Sequence, residues 1–128
     1  VRAGAIALSV LADLFLDTDE MITRIWHGWT TADNAEAYES LLLTQVFPGI
    51  TARSIPGYIG IRLDRRRVPE GVEFVTTMLF ASLDAVVAFA GEDYERAVVP
   101  LEAQAVLLRY DAEVAHYEVI SGIGEPMP

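Results

Sequence analysis

The sequence predicts an α+β protein, a single domain built on a small antiparallel sheet. Three observations point there. β-forming runs and amphipathic helical runs follow one another in the order β-α-β-β-α-β. The two middle strands are separated only by the turn-forming VPEG, which joins neighbours as a hairpin. The strands are apolar on both faces, not on one.

The first strand is read from Met21 to Trp29, with Ile22, Arg24 and Trp26 on one side and Thr23, Ile25, His27 and Trp29 on the other. In TTADNAEAYESLLLTQVF, Asp33 and Glu36 have the spacing of a capping box, and Ala35, Tyr38, Leu41, Leu42 and Val46 recur every three to four residues. This predicts an amphipathic helix ending near Pro48-Gly49. YIGIRLDRRR then places Ile59, Ile61 and Leu63 on one face of a second strand, and VEFVTTMLFAS forms the third. Ser82 is the expected N-cap of a second helix with Leu83, Val86, Val87 and Ala90 along one stripe, stopped by Gly91. A short helix from Leu101 to Leu108 is expected in the acidic segment that follows, and AEVAHYEVI supplies the last strand. This order is the ferredoxin-like arrangement, a four-stranded antiparallel sheet with both helices on one face.

The domain is expected to span residues 21–120. Residues 1–20 form an N-terminal extension, either a short helix or sequence upstream of a natural start at Met21; their apolar run is too short for a membrane helix, and a signal peptide is the less favoured reading. Residues 121–128 are expected to be a flexible tail.

Composition narrows the function classes. A 128-residue chain that is 52% hydrophobic has enough apolar material for one core, and a net charge of −10 disfavours both nucleic acid and anionic membranes as partners. All nine basic residues are arginine, so Schiff-base chemistry and a P-loop lysine are ruled out. Cysteine is absent, which removes disulfides, thiolate metal sites and a cysteine nucleophile, and suits a cytoplasmic location.

The two-sided apolar pattern demands a second cover. Phe74, Met78 and Phe80 alternate with Val75, Leu79 and Ala81, and Ile22 and Trp26 alternate with Ile25 and Trp29. Too few residues remain for another layer, so a second copy of the chain is the expected cover, giving a homodimer whose sheets pack face to face as a dimeric α+β barrel.

MITRIWHGWT, PGYIGIRLDRR, EFVTTMLFASLDAVVAFAGEDYERAV and VAHYEVI together resemble the antibiotic biosynthesis monooxygenase type of dimeric α+β barrel, over roughly residues 21 to 120. The resemblance implies a homodimer with a pocket in each subunit between sheet and helices. It further implies oxygenation of an aromatic, phenolic or quinol-like molecule with no metal or flavin cofactor, or heme opening. Heme opening is disfavoured: the positions where those relatives carry an asparagine, a tryptophan and a histidine fall here on His27, on Phe80 and near Arg96 to Val99.

Cofactor-free oxygenation needs a substrate anion, a base and an apolar cavity. His27 is the candidate catalytic base and is expected on the helix-covered face beside Trp29; the alternative is a histidine satisfied by a carbonyl. Trp26 is expected across the dimer barrel and Trp29 at a pocket mouth, with core or interface packing as the alternative for both. Trp29, Tyr38, Phe74, Met78, Phe80, Leu83 and Val87 are the expected pocket wall. Tyr38, Tyr58, Tyr94 and Tyr117 can donate to a phenolate and Arg62 can neutralise one, though tyrosines with wet hydroxyls also fill cores. Arg65 to Arg67 read as a solvated hairpin tip. His116 is expected within one or two residue steps of His27, but H-x-E in one strand is too common to predict a metal. The competing function is a non-catalytic dimeric barrel that binds a hydrophobic small molecule or has an accessory stress or pathway role.

Overall fold

The computed structural model describes residues 21–122, so the expectations for residues 1–20 and for the tail from residue 123 lie outside the described residues. β1 (Ile22–Thr30), β2 (Tyr58–Val68) and β3 (Gly71–Phe80) form the body of one antiparallel sheet. β3 lies between β2 and β1, while β4 (Arg109–Tyr110) and β5 (Ala115–Glu118) both pair with the free edge of β1. α1 (Ala35–Leu41) runs through a π-helical turn (Leu42–Val46) into α2 (Phe47–Ala52); α3 (Leu83–Ala90) follows β3, and α4 (Leu101–Val106) precedes β4. The α+β class and the ferredoxin-like element order stand.

Register decides what each strand residue faces. Ile22 pairs with Phe80, Arg24 with Met78, Trp26 with Thr76 and Gly28 with Phe74, so these side chains share one face. All four helices pack on that face. Ala35, Tyr38, Leu42 and Ala103 join Phe74 and Val72 in one buried cluster, and Ala85 and Val86 join Ile22, Met78 and Phe80 in a second. Tyr38 meets Phe74 edge-on at 4.9 Å between centroids, and Phe80 is flanked by Tyr58 and Phe89. The opposite face carries Thr23, Ile25, His27 and Trp29 of β1, Glu73, Val75, Thr77 and Leu79 of β3, and Tyr117 of β5. No described helix lies against it.

Four boundaries differ from expectation, each for a local reason. The first helix does not stop at Pro48-Gly49. The π turn comes just before Pro48, which then sits in the first turn of α2, where a missing N–H costs little. Asp33 and Glu36 form no capping box: Asn34 is the N-cap and makes no side-chain cap bond. The register shifts between Tyr58 and Gly60, a bulge that leaves Ile59 exposed and puts Tyr58 beside Phe80 instead. The expected last strand, residues 112–120, is cut back to β5, and an unexpected β4 pairs with β1 ahead of it, so the sheet has five strands and not four; Ala112 and Val114 bond to Ala97 and Glu95 and not to β1, with Arg96 and Glu113 bridged. Ser82 caps α3 as expected, its hydroxyl accepting from the Ala85 N–H at 3.2 Å, and Gly91 closes it at a φ of 88°. Within α3 the buried residues are Ala85 and Val86, while Leu83 is exposed.

The β2–β3 hairpin is tight, with Val68 opposite Gly71. Gly71 has a φ of 147°, and a Cβ there would overlap the Thr30 carbonyl oxygen and the Thr31 backbone. Only glycine lets β3 start this close to the end of β1.

Candidate functional site

A cavity of about 260 Å³ opens between the sheet and the helices. Its floor is Arg24 and Trp26 of β1, Ile61 of β2, and Thr76 and Met78 of β3; α1, the π turn and α2 contribute Tyr38, Leu42, Val46, Phe47, Ile50 and Arg53. Phe89, the Ala97–Pro100 segment and Val114 close the remaining side. An apolar hollow of about 150 Å³ suffices for benzene, so this volume suits one or two rings.

Strand alternation aims Arg24 and Trp26 into the cavity, and the break between β4 and β5 anchors Trp26. The indole Nε1 of Trp26 donates to the Asp111 carbonyl at 2.6 Å, within the break itself. Arg24 is only 6% exposed. Its Nη1 donates to the Tyr94 carbonyl at 2.6 Å and to Nε2 of His116 at 2.9 Å, and its guanidinium lies 5.4 Å from the Phe89 ring centre. Burial lowers its pKa to about 10, which leaves it charged at neutral pH. Because an arginine only donates, His116 accepts at Nε2 and its proton is on Nδ1. Burial and then the neighbouring Arg24 charge hold His116 below its ordinary pKa, in the neutral form. Burial raises the Tyr38 phenol, so it is a donor and not a base.

The sequence-predicted site residues divide between the two faces. Tyr38 and Met78 line the cavity. Phe74 and Phe80 are fully buried in the clusters beneath it, Leu83 is exposed, and Val87 is outside the lining. His27 and Trp29 lie on the face away from the helices, so the expected orientation of β1 is reversed: Trp26 lines the pocket and Trp29 does not. The helices cover the face of Ile22, Arg24 and Trp26 and not that of Ile25, His27 and Trp29. His116 pairs with Arg24, three positions from His27 and on the opposite face, so the two histidines do not meet. Among the described residues no group of three His, Asp or Glu side chains comes together as a metal set.

On its own face His27 has a defined partner that the sequence reading missed. Its Nδ1 lies 2.7 Å from Oε2 of Glu73, whose Oε1 accepts from Arg66 Nε at 2.6 Å. These two bonds hold the buried Glu73 carboxyl below its ordinary range, Arg66 contributing most. His27 also stacks on Trp29 at 6.1 Å, and Arg109 lies over the same indole at 3.7 Å, itself paired with Glu70. Arg62 pairs with Asp64 on the surface. Arg24 and Glu73 were the functional-looking residues that sequence reasoning passed over. The signal for both was a charged residue in strand phase with apolar neighbours.

No family model matches this sequence, and no curated protein is significantly similar to it. Solved structures are. A Caulobacter crescentus protein assigned to the antibiotic biosynthesis monooxygenases is 19% identical and superposes with a TM-score of 0.59, covering 88% of this chain and 99% of its own. The chain shares the fold of this structure. SnoaB, a cofactor-independent oxygenase from Streptomyces nogalater, is 16% identical with a TM-score of 0.55, covering 83% of this chain and 99% of its own. The heme-degrader MhuD of Mycobacterium tuberculosis, solved with two hemes in its active site, is 19% identical with a TM-score of 0.55, covering 80% and 99%. Among the described residues, no helix is long and apolar enough to cross a membrane.

Proposed function

We propose that the protein is a cofactor-independent monooxygenase that oxidises an electron-rich aromatic, phenolic or quinol-like molecule inside the cavity between sheet and helices. The observation that carries this reading is the cavity itself, apolar on most sides and floored by Trp26, Thr76 and Met78. The substrate supplies the electrons: a ring C–H gives way to a C–O bond with O₂, the O–O bond then breaks, one oxygen stays as a carbonyl and the other leaves as water. The apolar walls hold the ring and keep bulk water from the reactive intermediate.

The protein acts as a homodimer in this reading. Ile25, Val75 and Tyr117 sit on the sheet face that no described helix covers, and a second copy offers the same surface in return. A cytoplasmic location is consistent with this chemistry.

One observation favours a second reading, binding without oxidation. Among the described residues, neither a carboxylate nor His27 reaches the cavity, so no general base lines it. Oxygen uptake with a panel of dihydroxynaphthalenes and hydroquinones separates the two. Catalysis predicts uptake that is lost in Thr76→Phe, which fills the cavity floor, and kept within about twofold in His27→Ala. No uptake with any member, alongside ring binding in the cavity, selects the second reading. Equal uptake in Thr76→Phe and wild type removes the cavity from the chemistry.

A further inference from the structure

The cavity contains a charge that its own walls do not balance. Arg62, Arg65, Arg66, Arg96 and Arg109 each sit against a carboxylate, and their side chains are all at least 41% exposed. Arg24 is buried and does the reverse. Its acceptors are a backbone carbonyl and a neutral imidazole, and no carboxylate among the described residues pairs with it. The other charged residue of the lining is also an arginine, Arg53, whose Nη2 donates to the Ala88 and Phe89 carbonyls at the end of α3. Both guanidinium groups approach the Phe89 ring, at 5.4 and 5.2 Å from its centre. A buried charge is costly unless an opposite charge joins it, and a chain with a net charge of −10 has no shortage of carboxylates to supply one. Among the described residues, none pairs with Arg24.

We propose that this cavity binds a small aromatic oxyanion, a carboxylate or phenolate on one or two rings, with the charged oxygen paired to Arg24 and the ring held among Trp26, Met78 and Phe89. The proposal rests on the cavity reading above but requires no oxidation. His116 and the Tyr94 carbonyl take up Nη1 and so fix the guanidinium plane, making them positioning groups; the ligand takes the remaining donors. The volume of about 260 Å³ excludes larger polycyclic acids.

The test compares two probes of one shape, 4-fluorobenzoate and the neutral 4-fluorobenzamide, by fluorine NMR titration of the full chain. The wild type should bind the benzoate at least about tenfold more tightly. Contacts from the probe to the Met78 methyl and the Trp26 indole locate it. Arg24→Met should abolish that preference, whereas Arg53→Met, at the exposed rim, should cost the benzoate less. The wild-type comparison holds even if Arg24→Met fails to fold, and Arg24→Lys should restore part of the preference. Equal binding of the two probes overturns the anion proposal and leaves the cavity reading intact. Absence of both from the cavity overturns both, and a benzoate preference that survives in Arg24→Met assigns the anion elsewhere and overturns this one alone.

Discussion

Replacing three glycines with alanine separates the two reasons a glycine can be required. Gly71 combines a φ of 147° with a Cβ position that overlaps the Thr30 and Thr31 backbone. Gly91 has a φ of 88° but open space around its Cβ, and Gly49 has open space and no positive φ, within α2. Alanine at Gly91 should therefore lose only the backbone term, about 1 to 2 kcal/mol. At Gly49 it should gain about 0.5 to 1 kcal/mol from a less flexible unfolded chain. At Gly71 the same backbone strain applies, and the Cβ also cannot coexist with the Thr30 carbonyl unless β1 and β3 part at the Thr30–Val72 pair. Losing that end of the ladder adds about 1 kcal/mol per hydrogen bond, so the total loss is about 3 kcal/mol. Urea denaturation followed by far-ultraviolet circular dichroism gives all three differences, with unchanged slopes as the check on two-state unfolding. A Gly71→Ala variant no less stable than Gly91→Ala would refute the close approach of the two strands.

The remaining predictions concern charge and assembly. Because Glu73 is held below 4.5 in the folded state, its contribution is present above the unfolded carboxylate pKa and is lost as pH falls through the folded value; Glu73→Gln should flatten the acid limb of a stability-versus-pH curve below about pH 4.5. His116 is depressed below 6.5, so it favours folding above that pH and loses the contribution as acid protonates it; NMR titration of its ring should give a value under 6.5, rising in Arg24→Met but not to 6.5, because burial is the larger cause. Val75→Glu, on the face away from the helices, should convert a sedimenting dimer to a monomer while leaving the cavity's probe binding in place. A wild type that sediments as a 14.1 kDa species at micromolar concentration removes the dimer from the reading.

Element order, the tight hairpin and the Ser82 and Gly91 caps were legible because each depends on residues close together in the chain. The site was less so, and β1 shows why. Alternation correctly grouped Ile22, Arg24 and Trp26 against Ile25, His27 and Trp29, but with apolar residues in both groups nothing local says which group meets the helices. That choice is made by Tyr38, Leu42 and Phe74, residues far apart in sequence that meet in one cluster. Arg24 was the available clue: a charge in phase with two large apolar residues is expensive wherever it is buried, and such positions tend to carry function. Glu73 was concealed similarly, since its partner His27 is 46 positions away. The late start of β5 was not readable, because it follows from the bonds of Ala112 and Val114 to the 95–97 segment, whose own conformation has no strong local signal.

The π turn at Leu42–Val46 has a consequence for how the binding wall can change. Such a turn is one surplus residue in the spiral, and each residue of an α-helix advances the rotation by about 100°. Everything from Phe47 onward is set by that surplus, including the directions of Ile50 and Arg53. Deleting a single residue, Thr44 for example, would regularise the coil and swing both away while the strands kept their pairing. The floor contributed by β1 and β3 is fixed by register, so the two halves of the chamber can drift independently: one by substitution, the other by a one-residue change in length.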